Sequence, residues 1–427
     1  MSTVPEPLRV PGFRQFWWAK SISAFGTSIT LLALPVFVVT VLGGTATDVG
    51  LLNATRWLPY LLLGLIVGAL VDRVRRKPLL VATDLARGVV LAVLPLSWLL
   101  GWLSFPLLLG VVGLVGVMSL INDSASQSIL PRLVPRSALL GANARLDQTM
   151  TTATTSGPAI SGGLIGLIGA PLTIAVDTIT YLFSGLLTAR IRLDEPEPAP
   201  QQRQAGRLRR EIAEGLAWTY RHRTLAPHAI STHAWFICNA AMNTALVPFA
   251  LVQLGIGPFA VGLVLAIAGI GGIVGSLLSK PLAERLGVGR ASVVSRLLTP
   301  LAAVIMAFAP DGQPVLAAVV LGIGQFCYGL EFVGNASEMA YRQAVTPDAL
   351  QSRMNTTIRS INRAMIVVGA PLGGLLADAI GARPVLLISA AGFLAGTVYL
   401  ALSPFRNASL DDAEPNGDGS AVGSPPR

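Results

Sequence analysis

Gly68-Ala69-Leu70-Val71-Asp72-Arg73-Val74-Arg75-Arg76-Lys77 separates two long apolar runs, one over about 49–71 and the next over about 79–100. Each run has roughly the 20 residues that a helix needs to cross the hydrocarbon core of a bilayer. A tight polar turn dense in Arg and Lys between two such runs reads as a loop that returns the chain into a membrane from its cytoplasmic face.

The same pattern repeats along the chain. Further windows fall near 20–42, 103–123, 146–169 and 171–190, and then near 228–252, 259–280, 291–309, 315–338, 357–380 and 384–403. Composition agrees: 52% of the 427 residues are hydrophobic and 12% are charged, with mean hydropathy +0.64. Soluble domains carry about a quarter charged residues, so too few charges are present to cover a water-exposed surface. The net charge of +9 does not point to nucleic acid, because the arginines sit in short segments between apolar runs. Alternate loops hold Arg73–Lys77, then Arg132 and Arg136, then a run from Arg190 to Arg223, then Arg285 and Arg290; the intervening loops hold only Arg383. The positive-inside rule therefore places both termini in the cytoplasm of a multi-pass plasma-membrane protein. Cys238 and Cys327 lie inside apolar runs and imply no disulfide framework.

Sliding the chain on itself by 212 residues aligns Val49-Gly50-Leu51 with Val261-Gly262-Leu263, Asp72-Arg73 with Glu284-Arg285, Gly157 with Gly369 and Gly162 with Gly374. Charged pairs, Asn143 with Asn355 and Pro135 with Pro347 keep that register. The expected fold is all-α integral membrane: twelve transmembrane helices in two pseudo-symmetric six-helix bundles with a cavity between them. The expected divisions are a first bundle over 1–192, a cytoplasmic linker with an interfacial helix over 193–224, a second bundle over 225–405 and a disordered cytoplasmic tail over 406–427. Leu208, Ile212 and Leu216 on one side, with Arg207, Arg209 and Arg210 on the other, suit a helix lying on the inner leaflet.

The opening stretch resembles the hallmark loop of the major facilitator superfamily, G-x-x-x-D-R followed by a basic cluster, with Arg75 where the family often has Gly. Thr83-Asp84-Leu85-Ala86-Arg87-Gly88 and Ile129-Leu130-Pro131-Arg132-Leu133-Val134-Pro135 resemble its macrolide-efflux and enterobactin-exporter-like branch. The resemblance implies a conformational switch built from Gly68, Asp72, Arg73 and Arg76, with Asp123 at the same level completing a charge cluster. It also implies alternating access and proton-coupled export of a hydrophobic or amphipathic small molecule such as a drug, an antibiotic or a siderophore. Gly157-Pro158-Ala159-Ile160-Ser161-Gly162 in span 5 is similar to an antiporter motif, with Ser161 in place of a Gly. Its partner is Gly369-Ala370-Pro371-Leu372-Gly373-Gly374 in span 11, and both helices are expected to bend where the halves meet.

Charge buried in the spans marks further candidates, because ionised groups there cost about 3 kcal/mol on insertion scales. Glu331 in span 10, Asp177 in span 6 and Arg56 in span 2 are the expected proton-coupling and cavity residues. Arg56 and Asp177 fall at similar depth, roughly 9–10 Å from the outer face at 1.5 Å per residue, so they can pair. Asp84 and Arg87, at i and i+3, can neutralise each other. Arg359 and Arg363 read as snorkelling toward the cytoplasm. Few charges elsewhere in the windows favour a largely apolar substrate, with Trp57, Tyr60, Phe326 and Tyr328 as wall residues. No nucleotide-binding loop is present, and His222, His228 and His233 have no metal-ligand spacing with carboxylates. No enzyme activity and no cofactor are expected. The expected partners are a small-molecule substrate, protons and the lipid bilayer, with no nucleic acid, and the protein is expected as a monomer. A nutrient facilitator or importer of the same fold, and a membrane sensor or assembly factor, remain open alternatives.

Overall fold

The computed structural model describes residues 6–71, 73–193, 195 and 207–413. Within them the chain forms twelve spanning segments. Spans 1–4 are Pro11–Thr40, Ala46–Val71, Arg76–Leu99 and Phe105–Leu133; spans 5 and 6 divide Leu139–Ala189 at Gly169, the one non-helical residue inside it. A linker helix, Arg207–Arg221, precedes span 7, Leu225–Pro248, which runs on into a wide turn over Phe249–Gln253. Spans 8–12 are Pro258–Leu286, Val288–Ala307, Pro314–Ala344, Asp348–Ile380 and Ala382–Leu402. The end that carries the basic loops is termed inner and the opposite end outer.

The repeat is visible in the outer turns. Gly43 and Gly255 have φ of 63° and 64°, and Gly169 and Gly381 have φ of 80° and 91°. Each pair stands 212 residues apart. This left-handed conformation strains any residue with a Cβ, so glycine holds the same tight turn at equivalent places in both halves. Arg383, the lone base of the outer loops, is neutralised locally: it pairs with Asp311 at 2.6 Å and donates to the Ala309 carbonyl at 2.5 Å.

Two seams join the halves, span 2 against span 11 and span 5 against span 8, and both close toward the outer end. At one, a Cβ on Gly50 would reach within 2.5 Å of the Ala370 carbonyl, and one on Gly374 would overlap Ala46 and Thr47. At the other, a Cβ on Gly162 would come within 2.6 Å of the Pro258 carbonyl, and one on Gly262 would overlap Pro158. These contacts are the same pair of approaches repeated at the 212 offset. Without side chains in the way, helix backbones pack directly, which is what holds helices together in lipid. Helix runs unbroken through Pro158 and Pro371. The antiporter-like stretches therefore act here as contact surfaces between halves and do not interrupt their helices.

The linker helix docks on the second half. Arg353, in the first turns of span 11, pairs with Glu214 and with Glu211, and a Cβ on Gly215 would overlap the Arg353 carbonyl and the Thr357 hydroxyl. Trp218 donates to Thr346 at 3.3 Å, and the Tyr220 hydroxyl meets His233 Nε2 at 2.6 Å. The first part of the tail also departs from the disorder expected over 406–427. Pro404–Asn407 and Leu410–Ala413 form short 3-10 turns. Phe405 is fully buried between the rings of His228 and Tyr341, and Gly289 N–H donates to the Ala408 carbonyl at 3.1 Å. One aromatic anchor orders a stretch whose overall composition is that of a loose tail; residues 414–427 lie outside the described ones.

Candidate functional site

Between the halves lies a cavity of about 1120 Å³ that runs from the sealed outer seams to the inner end. Its outer portion is apolar, lined by Leu31, Leu34, Pro35, Leu52 and Val112, whereas Asn143, Asp147, Gln127 and Ser352 stand near its inner mouth. Such a void follows from the chain pattern: the seams bring backbones together only near the outer glycines, and the long inner ends of the helices diverge below them.

Where few charges besides Arg56 and Asp177 were expected, five basic residues reach the wall: Lys20, Arg56, Arg87, Arg359 and Arg363. Three acids face it, Asp123, Asp147 and Asp177. Trp57 and Tyr60 line it as expected, but Phe326 and Tyr328 do not. Tyr328 instead stacks on Trp235 and donates to Asn239 at 2.9 Å within the second half.

Asp177 is 1% exposed and sits in the notch left by Gly26 of span 1. Its Oδ1 accepts from Thr180 at 3.0 Å, while Oδ2 has no donor. The hydroxyl of Thr30, on span 1 and also on the wall, faces this carboxylate without closing a hydrogen bond of standard geometry. The expected Arg56–Asp177 pair does not form, because the carboxylate is turned toward span 1 and its own helix. Arg56 lies 5.8 Å from the Trp57 ring and makes no ion pair among the described residues.

Asp123 accepts from the Tyr60 hydroxyl at 2.7 Å, and Arg363 stacks on the other side of this unit, 4.6 Å from the Tyr60 ring. Asp123 therefore faces the cavity, bound to Tyr60. Arg76 meets Glu195 at 3.4 Å, Arg132 meets the same carboxylate at 3.6 Å, and Lys77 N–H donates to it at 3.1 Å. Glu195, just past span 6, was hidden in sequence by its place at the edge of a polar linker. Gly68 lies in the last turns of span 2, Arg73 is exposed in the turn that follows, and Asp72 lies outside the described residues.

Asp84 and Arg87 pair as expected. Ser184 and Asn122 donate to Asp84, both at 3.0 Å, and Arg87 lies 4.3 Å from the Tyr181 ring. Lys20 extends this network by donating to Asn122. Sequence reading missed Lys20 because span 1 was expected to begin there; the helix starts at Pro11, which carries Lys20 well inside.

Glu331 does not join the cavity residues. It opens a 3-10 segment, Glu331–Gly334, that interrupts span 10. That segment lies against Gly275 of span 8 and Ser295 of span 9, and the break turns it away from the cavity. The strongly paired carboxylate nearby is Glu338, which holds Arg296 at 3.2 Å and His228 at 2.8 Å. No group of three or more His, Cys, Asp or Glu side chains suited to a metal ion occurs among the described residues.

The sequence profile of a family described as transmembrane secretion effector matches residues 2–420. Among curated relatives, the multidrug efflux pump Tap of Mycolicibacterium fortuitum is 26% identical over 401 residues, 92% of this chain and 96% of that protein. Macrolide efflux protein A of Streptococcus pyogenes is 22% identical over 205 residues, 48% of this chain and 50% of that protein. The crystal structure of the nucleoside transporter NupG superposes with a TM-score of 0.73 at 14% identity, covering 91% of this chain and 98% of that one, which establishes the shared fold.

Proposed function

Because the chain belongs to the transmembrane secretion effector family of the major facilitator superfamily, and is thus a secondary transporter and not an enzyme, we propose that it exports an amphipathic small molecule in exchange for protons. The inner end is the cytoplasmic one in this reading, so the substrate enters from the cell interior. The observation that carries it is the buried Oδ2 of Asp177, without a hydrogen bond of standard geometry, on a residue that lines the cavity between the halves. A buried carboxylate oxygen without a donor is costly to leave bare. It attracts a proton when the cavity is empty and releases it when the surroundings change, which is the exchange an antiporter needs. The efflux activities named for the two curated relatives support the direction of transport.

Alternating access follows from the seams. With the outer glycine contacts closed, the cavity communicates with the inner end; rocking the halves about these contacts would close the inner mouth and open the outer one. Glu331 has no part in this route, and the role of proton carrier passes to Asp177.

Everted membrane vesicles from overproducing cells test the proposal. With an imposed pH gradient, acidic in the lumen, they should accumulate compounds from a panel of amphipathic antibiotics. Asp177→Asn, whose amide cannot take up and release a proton, should cut this accumulation by about tenfold or more yet leave substrate exchange without a gradient. Full gradient-driven accumulation by Asp177→Asn would remove Asp177 from the mechanism. Failure of wild-type vesicles to accumulate any member of the panel would contradict export.

A further inference from the structure

Arg359 and Arg363 stand one helical turn apart on span 11, and Arg56 reaches the same cavity from span 2. None of the three makes an ion pair among the described residues. Like charges one turn apart on a helix repel each other, and an arginine on a wall of low dielectric without a carboxylate is an expense the fold has no structural reason to bear. The acids nearby, Asp123 and Asp177, act on Arg56 and Arg363 only through space and close no ion pair with them. Asp123 accepts its hydrogen bond from Tyr60, and Asp177 is turned toward Gly26 and Thr180. Arg87, by contrast, is matched by Asp84, which shows how this chain satisfies an arginine whose role is structural.

We propose that Arg359, Arg363 and Arg56 form the head-group site for an amphipathic organic anion, such as a carboxylate on an apolar ring system. The rest of the cavity fits that shape. The apolar outer portion at Leu31, Leu34, Leu52 and Val112 takes the hydrophobic body, and the rings of Trp57 and Tyr60 line the same cavity beside Arg56 and Arg363, at 5.8 and 4.6 Å. Guanidinium groups bind carboxylates through paired N–H donors, and they do so best when water is excluded. Because Arg56 belongs to the first half and Arg359 and Arg363 to the second, an anion held by Arg359 and Arg363 and attracted by Arg56 would draw span 2 toward span 11. That is the seam whose inner part must close before the substrate can be released outside. The inference deepens the export reading and rests on it for the direction of movement, but it concerns binding alone.

The test uses the full-length protein in nanodiscs at equilibrium, with no pH gradient, so it stands or falls apart from proton coupling. The probes are glycocholate, which ends in a carboxylate, and the amide of cholate with ethylenediamine, which has the same steroid body and ends in an ammonium group. Glycocholate should bind about tenfold more tightly or better, the factor that a charge-assisted hydrogen bond supplies. Arg359→Gln with Arg363→Gln should erase that preference, Arg359→Lys with Arg363→Lys should keep most of it, and Arg359→Glu with Arg363→Glu should reverse it. The paired Lys variant also separates loss of charge from loss of fold. A preference for the amine, no preference, no binding of either probe, or a carboxylate preference that survives the Gln substitutions would each overturn the proposal.

Discussion

Single residues carry the chemistry here through the partners they have or lack. Asp84 illustrates the satisfied case: Arg87, Asn122 and Ser184 all donate to it. The i, i+3 spacing made its pairing with Arg87 legible in sequence, while Asn122 and Ser184 come from other helices and were not. Asp177 illustrates the open case, and only the structure shows that its helix turns it away from Arg56. The Glu195 cluster gives a residue-scale prediction. Glu195 is 7% exposed and is shared by Arg76, Arg132 and the Lys77 amide. Glu195→Gln removes the carboxylate that Arg76, Arg132 and the Lys77 amide share and should lower the stability of the first half by about 2 kcal/mol, the scale of a broken, largely buried pair. Thermal unfolding of the purified protein in detergent reads this loss; an unchanged midpoint would make the cluster dispensable.

At the scale of helices, the pattern of apolar windows placed all twelve spans, because length and hydropathy are local properties of the chain. Their ends were less legible. Spans 1, 5 and 11 extend well beyond the apolar windows at the inner end, where polar residues continue the helix outside the hydrocarbon core. The break in span 10 at Glu331–Gly334 carries no proline to announce it. The repeat, too, is partly masked by charge exchange: Asp84 of span 3 stands at the 212 offset from Arg296 of span 9, so an acid anchors one polar core and a base the other. The outer seams are likewise unequal. On the span 2–span 11 side, Asp378 accepts from the Ala46 and Thr47 amides at 3.0 and 2.9 Å and from the Thr47 hydroxyl at 2.5 Å. A carboxylate at the first amides of a helix is favoured by both the free donors and the dipole. The equivalent position of span 5 is Gly166, with nothing near it. Asp378→Asn should therefore loosen one seam only. With Cys238 and Cys327 replaced by Ser, a cysteine at Asn53, beside that seam and bonded to Thr244 of span 7 in the other half at 3.3 Å, should react several-fold faster with an impermeant maleimide added from the outer side. An unchanged rate would show that the glycine contacts alone hold the seam.

For the molecule as a whole, composition was sufficient to identify a multi-pass membrane protein, since it reflects the bilayer as solvent, while the 212-residue repeat pointed to two bundles and the Gly68–Lys77 stretch to a transporter. The cavity's character was not legible in these. Arg359 and Arg363 lie close enough to a helix end to read as snorkelling side chains, and only the divergence of the halves below the outer seams turns them onto a shared wall. Under the proposed exchange, protonation at Asp177 governs which end of this cavity is open. Spin-label distances measure it directly, with one pair across the inner mouth at Leu140 and Leu286 and another across the outer end at Leu100 and Val252, all partly or largely exposed. Moving the nanodisc-embedded protein from alkaline to acidic pH should shift the two distance distributions in opposite senses. Asp177→Asn should show the acidic distribution at both pH values. Distances that ignore pH in the wild-type protein, or that respond to pH in Asp177→Asn as they do in the wild type, would contradict the account.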